Sequence, residues 1–288
     1  MFISEPKIGI ICLYKWSLFL IIKPLTKSEL EDFFTSDAQN LLKYFLFKAI
    51  FSQPELLKGQ DKLPIHVPKE HIEQWLVQSL GAKPVGSGSY PVDIIDKIKK
   101  YGADAKMLSW NGKKNSISGE TSLAQKFKDA GNDLDEAFKN KDFSSIVSDW
   151  SDLFEKKLDK VFTDFKDIKK IYYFFVIREN NNFHICGMKV NKNKIKFMEE
   201  ERHSDSSIWL KNVIDSRYGQ SKIYKAKKRM ELRLYPYNWV EDNLVISFDN
   251  SNINTVEKDL LGKDTKELYD KAQKIFLEQF KLIVGDPK

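Results

Sequence analysis

Between Ile171 and Ile177 the chain reads IYYFFVI, an apolar and aromatic run with no polar interruption. A strand with one face in water alternates apolar and polar residues. A strand buried on both faces is apolar throughout. The run is short, and the turn-like RENNN follows before FHICGMKV returns. This pattern predicts an interior strand of a sheet that is covered on both sides.

The rest of the chain supplies the cover. Leu25 to Phe51 has helical spacing, with a capping-box pair at Thr26 and Glu29 and apolar faces from Phe33, Phe34, Leu41, Leu42, Phe45 and Leu46. A loop broken by Pro54, Gly59, Pro64 and Pro68 follows. PKEHIEQWLVQSLG then reads as a helix with Pro68 in its first turn, Gly81 at its end and Ile72, Trp75, Leu76 and Leu80 as the buried stripe. Leu123, Phe127, Ala130, Leu134 and Phe138 predict another helix, and Ile146, Trp150, Leu153, Phe154, Leu158, Val161 and Phe165 a longer one over 144–165. KIKFMEE, MELRLY and LVISF read as strands, 207–213 as a helix, and 265–282 as a closing helix. The expectation is an α/β (α+β) domain with a central mixed β-sheet flanked by helices, undivided by any clear linker.

Composition narrows the chemistry. Cys12 and Cys186 match no metal spacing and cannot frame a disulfide scaffold in 288 residues, so a reducing, cytoplasmic compartment is expected. His66, His71, His184 and His203 share no ligand spacing, which argues against zinc sites. There is no Walker loop and no nucleophile elbow. The stretch Ile8–Ile22 is apolar apart from Lys15 and Ser17. It is short for a membrane span and has no signal-peptide flanks, so a buried strand or hairpin is preferred over an anchor and no stable membrane association is expected. The net charge of +6 is compatible with a nucleic-acid partner without requiring one.

The chemically informative segment is GSGSYPVDIIDKIKKYGADAKML, Gly86 to Leu108. Two apolar runs flank KKYG, a hairpin signal. If the turn centres between Ile98 and Lys99, Asp93 sits opposite Asp104. If KKYG is the whole turn, Asp93 faces Leu108 instead. Either register puts Asp93, Asp104 and Lys106 on one face, because strand side chains alternate. Two crowded carboxylates repel, and a divalent cation between them reverses that sign. Lys106 beside them could orient or help deprotonate a water, and burial near a cation would lower its pKa. The alternative is a polar outer strand face, with GSGSY as a flexible connection rather than a phosphate-approaching loop.

These residues resemble the active-site hairpin of the PD-(D/E)xK nuclease superfamily. Pro91-Val92-Asp93 stands at the first acid, with one residue more than the simplest Pro-Asp, and Asp104-Ala105-Lys106 matches Asp-x-Lys. The resemblance covers residues 68–130 and rests on a short motif. It implies a restriction-endonuclease-like core, Mg2+ held by Asp93 and Asp104, and Lys106 acting on water. It also implies a role for an acid on the preceding helix. Glu73, about 100° from Ile72 and so at the edge of the stripe, is the candidate; a solvated helix-face Glu is the other reading. A following helix could offer Glu120 and Gln125 as accessory groups, although dipole complementation for the Glu and simple exposure for the Gln are the preferred readings.

Lys222, Lys225, Lys227, Lys228, Arg229 and Arg233 lie against Glu231 alone in the segment 222–233, with Tyr224, Tyr235, Tyr237 and Trp239 close by. Beside a nuclease-like hairpin, Lys225, Lys227, Lys228, Arg229 and Arg233 become candidates for phosphate and guanine contacts. The expectation is therefore a single domain over 1–288. Residues 1–67 form an N-terminal helical and apolar segment, 68–165 a catalytic core, and 166–288 the sheet completion and DNA-recognition elements. Its activity would be that of a Mg2+-dependent Type II restriction endonuclease on double-stranded DNA, working as a homodimer. A repair or recombination nuclease, or a non-catalytic DNA-binding protein, are the alternatives.

Overall fold

The computed structural model describes residues 19–51, 59, 66–85, 90–125 and 134–248. The Gly86–Ser89 loop, most of the N-terminal apolar run and the expected closing helix over 265–282 lie outside the described residues. No helix among the described residues is long and apolar enough to cross a membrane.

The IYYFFVI run lies in β6 (Lys170–Glu179), paired antiparallel with β7 (Asn182–Val190) and parallel with β4 (Tyr101–Trp110). Both faces are buried as expected. Tyr172, Phe174 and Val176 enter one core, and Ile171, Tyr173, Phe175 and Ile177 the other. The sheet has seven strands in the order β1 (Ile22–Pro24), β7, β6, β4, β3 (Ile94–Asp96) and β2 (Lys83–Pro84), with β12 (Val245–Phe248) also on β7. It is mixed: β4 and β6 run parallel, and the remaining pairs antiparallel.

One face is covered by α1 (Lys27–Glu31), α2 (Ser36–Phe51) and α3 (Lys69–Ser79), through Leu30, Leu42, Leu46, Ile72 and Leu76, with Phe34 added from the link between α1 and α2. The expected single helix from Leu25 is divided. The Thr26–Glu29 capping box forms and starts α1. Thr35 Oγ1 then accepts from Ala38 N at 3.4 Å and starts α2 separately, because a second capping residue offers the chain a second beginning.

The other face is covered by α5 (Phe143–Asp164), capped by Asp142, whose side chain accepts from Ser145 N. Trp150, Phe154, Leu158 and Val161 are its buried stripe, each large side chain contributing about 1.5–3 kcal/mol by burial. A second sheet of five strands shares this core. Its order is β5 (Glu120–Gln125), β11 (Arg229–Leu234), β10 (Gly219–Tyr224), β9 (Ser207–Lys211) and β8 (Glu199–Ser204). Leu123, Ile208, Leu210, Ile223, Met230, Leu232 and Leu234 belong to the same cluster as Trp150 and Phe175. Two short helices, α4 (Leu134–Lys139) and α6 (Pro236–Glu241), complete the described elements, with a 3-10 turn at Lys192–Phe197.

Three expectations are corrected by this second sheet. Residues 120–125 form a strand, not the start of a helix. Thr121 and Leu123 alternate inward while Glu120 and Ser122 face out, and pairing with β11 outweighs the longer helical spacing. Residues 207–211 form β9, again with Ile208 and Leu210 alternating inward. Within KIKFMEE, Lys194–Phe197 is 3-10 turn and the strand begins at Glu199.

Candidate active site

The hairpin takes the register in which the turn centres between Ile98 and Lys99: Asp96 faces Tyr101, Ile95 faces Gly102 and Ile94 faces Ala103. Asp96 Oδ1 accepts from the backbone N–H of both Ile98 and Lys99 at 2.8 Å, which closes the turn two residues earlier than KKYG suggests. Tyr101 and Gly102 thus belong to β4. Beyond Ile94 the ladder changes. Asp93 N donates to Ala103 O at 2.9 Å, and Ala105 N donates to the Asp93 carboxylate at 2.8 Å. The side chain has taken the place of a backbone acceptor, and this draws its charge against β4.

Along β4, Ala103 and Ala105 join the core under α1–α3, whereas Leu108 and Trp110 join the core under α5. Asp104 and Lys106 share the second face by alternation. Lys106 Nζ donates to Asp104 Oδ1, to Asp93 Oδ2 at 3.3 Å and to Ala105 O at 3.1 Å. Three oxygens therefore converge on one cation.

The titrations follow from this crowding. Asp104 is 4 % exposed. Burial pushes its carboxyl up to about 7; Lys106 and Lys157 pull it down, and Asp93 pushes it up again. For Asp93, burial is outweighed by the hydrogen bond shared with Asp104, the charge of Lys106 and the Ala105 N–H, so it stays ionised below the usual carboxylate range. Burial would lower Lys106, but Asp104 and Asp93 overcome it and hold the ammonium above its ordinary value.

A residue outside the sequence motif completes the group. Lys157, on α5, donates from Nζ to Leu123 O at 3.0 Å. Its pKa is lowered by burial and by Lys106, against the pull of Asp104 and Asp93. It stands at helical spacing with Trp150, Phe154 and Val161, and a charge inside that apolar stripe was the signal that could have found it. Tyr173 on β6 also faces Asp104, and burial together with that carboxylate raises its phenol.

Glu73 lies on α3, whose stripe packs on the opposite face of the sheet. Its Oε1 is shielded from solvent, and its charge adds to the stabilisation of the Lys106 ammonium. Glu120 and Gln125 lie elsewhere, on β5, opposite Arg233 and Arg229. Glu120 pairs with Lys227 and Arg233. Lys227 and Arg229 also approach the buried Glu231, at 3.3 and 3.8 Å, and Lys225 lies 3.8 Å from Asp135. Four of the five expected DNA-binding residues thus have carboxylate neighbours, where Glu231 alone was expected. Lys228 occupies the β10–β11 turn with φ 46°.

Among the described residues no group of three or more His, Cys, Asp or Glu side chains is placed to hold a metal ion. The donors that do converge are two carboxylates and a backbone carbonyl. All are hard oxygens, and Mg2+ is characteristically bound by one or two carboxylates while keeping several waters. The cluster fits that ion. Compared with protein-family models, curated proteins and solved structures, the chain matches none.

Proposed function

We propose that this protein is a Mg2+-dependent phosphodiesterase acting on double-stranded DNA, with a PD-(D/E)xK-type site on β3 and β4. The observation that carries this reading is the convergence of Asp93 Oδ2, Asp104 Oδ1 and Ala105 O on a single ammonium. Asp93, Asp104 and the Ala105 carbonyl would hold the ion. Bound there, Mg2+ supplies Lewis acidity and offsets charge on the phosphoryl oxygens. Lys106 holds its proton at Nζ and directs donors toward the oxygens of water and phosphate. Lys157 adds a second positive charge from α5, and Glu73 supports the Lys106 ammonium from α3. Hydrolysis forms a bond from water oxygen to phosphorus, breaks one ester P–O bond and delivers a proton to the leaving oxygen.

The finer assignment is a Type II restriction endonuclease acting as a homodimer on a palindromic site. A repair or recombination nuclease using the same residues is the second reading. It is favoured by the carboxylates that engage Arg229 and Arg233, because guanidinium groups already held are less able to read guanine edges.

Plasmid cleavage separates these readings. Activity should require Mg2+, disappear with chelator, and fall by at least about a hundredfold in Asp104→Asn and Lys106→Met, with Lys157→Met also impaired. Wild-type cleavage by folded Asp104→Asn and Lys106→Met would sink the catalytic assignment. Discrete fragments would support site-specific cutting, and a smear the second reading.

A further inference from the structure

The outer face of the second sheet carries charge that the candidate active site does not use. Arg202 on β8 faces Trp209 on β9, and Trp209 faces Lys222 on β10, so the three form one row across adjacent strands. The Arg202 guanidinium lies 4.0 Å from the centre of the Trp209 ring and Lys222 Nζ lies 4.2 Å from it. Neither cation forms a direct ion pair with a carboxylate among the described residues. Lys222 faces Glu231 across β10 and β11 without an ion pair to it, whereas Lys225, Lys227, Arg229 and Arg233 each lie within ion-pair distance of a carboxylate.

We propose that Arg202, Trp209 and Lys222 form a docking clamp for the phosphodiester backbone of a nucleic acid. The proposal rests on the nucleic-acid reading above but centres binding on the β8–β10 row, which shares only Lys222 with the basic segment 222–233. The ring fixes both cations through cation–π contacts, which limits the entropy lost when they meet a ligand. Alternation places the row on the solvent side, since Ile208, Leu210 and Ile223 point into the core. A row of cations on an open sheet face suits an extended polyanion; a small anion would need a concave site.

The cations disfavour one another. Lys222 is lowered first by burial and then by Arg233 and Arg202, with Glu231 opposing. An incoming polyanion relieves that repulsion.

The test is binding of a fluorescently labelled DNA duplex by the full chain carrying Asp104→Asn, measured over a range of salt concentrations. Arg202→Gln with Lys222→Gln should weaken binding about tenfold and reduce the salt slope by about 2. Arg202→Lys with Lys222→Arg should restore most of both, which separates lost charge from lost folding. Lys227→Gln should have less effect than either clamp substitution. Unchanged affinity and slope in the folded Gln double variant overturn the clamp, as does a parent protein that binds no duplex. A wild-type protein that binds duplex through these residues yet never cuts it refutes the nuclease reading and leaves the clamp standing.

Discussion

Asp104 is the residue with the most to lose from its own charge. Its carboxyl is buried and close to Asp93, and its proton is held to about pH 7, whereas an unfolded carboxyl of this type titrates near 3.8. Between those values the folded state binds the extra proton, so stability falls as pH rises through this window. In metal-free buffer, urea unfolding should therefore show stability declining between about pH 4 and about pH 7. Asp104→Asn, which removes the ionisation, should flatten that decline and stabilise the protein at the alkaline end. An equal slope in the variant would mean that Asp104 is not the titrating group. The three motif residues were legible because alternation alone puts them on one face in either register. Lys157 was not found, because it comes from a distant helix whose approach depends on the tertiary fold.

At the scale of elements, local pattern and tertiary pairing part company. α3, α5 and β6 announce themselves through strong periodicity or an unbroken apolar run. β5 and β9 do not, since each is a short strand made credible only by the partner strand beside it. The second sheet was hidden for that reason, and with it the carboxylates that meet the basic segment. A tight element contact offers a direct check. Gly187 of β7 lies under α1 and against β6. A Cβ built there would lie 2.9 Å from Leu25 Cδ1, 3.0 Å from Leu30 Cδ2 and 3.1 Å from Phe174 Cδ1. Gly187→Ala should cost about 1–3 kcal/mol of stability by overpacking, read as a lower urea midpoint. A midpoint at or above wild type would show that α1 yields easily.

For the whole molecule, the consequential fact is that both sheets and α5 share one hydrophobic cluster. Removing the second sheet would expose Trp150, Phe154 and the α5 face of β6 together. Thermal unfolding followed by tryptophan fluorescence and by far-ultraviolet circular dichroism should therefore coincide. Two separated transitions would show that the sheets melt independently.

The parallel pairing of β4 with β6 also sets an order of events during synthesis. The β3–β4 hairpin is complete by Trp110, but its neighbour β6 begins only at Lys170, after β5, α4 and α5 have been made. A ribosome therefore releases Asp93, Asp104 and Lys106 into water as a local hairpin well before Tyr173 and Lys157 arrive to enclose them. The desolvation of Asp104 is deferred to a late, long-range closure, and such closures fold slowly because loop entropy must be overcome first. During that interval the carboxylates remain hydrated, and the nascent hairpin need not yet bear the repulsion that marks the finished site.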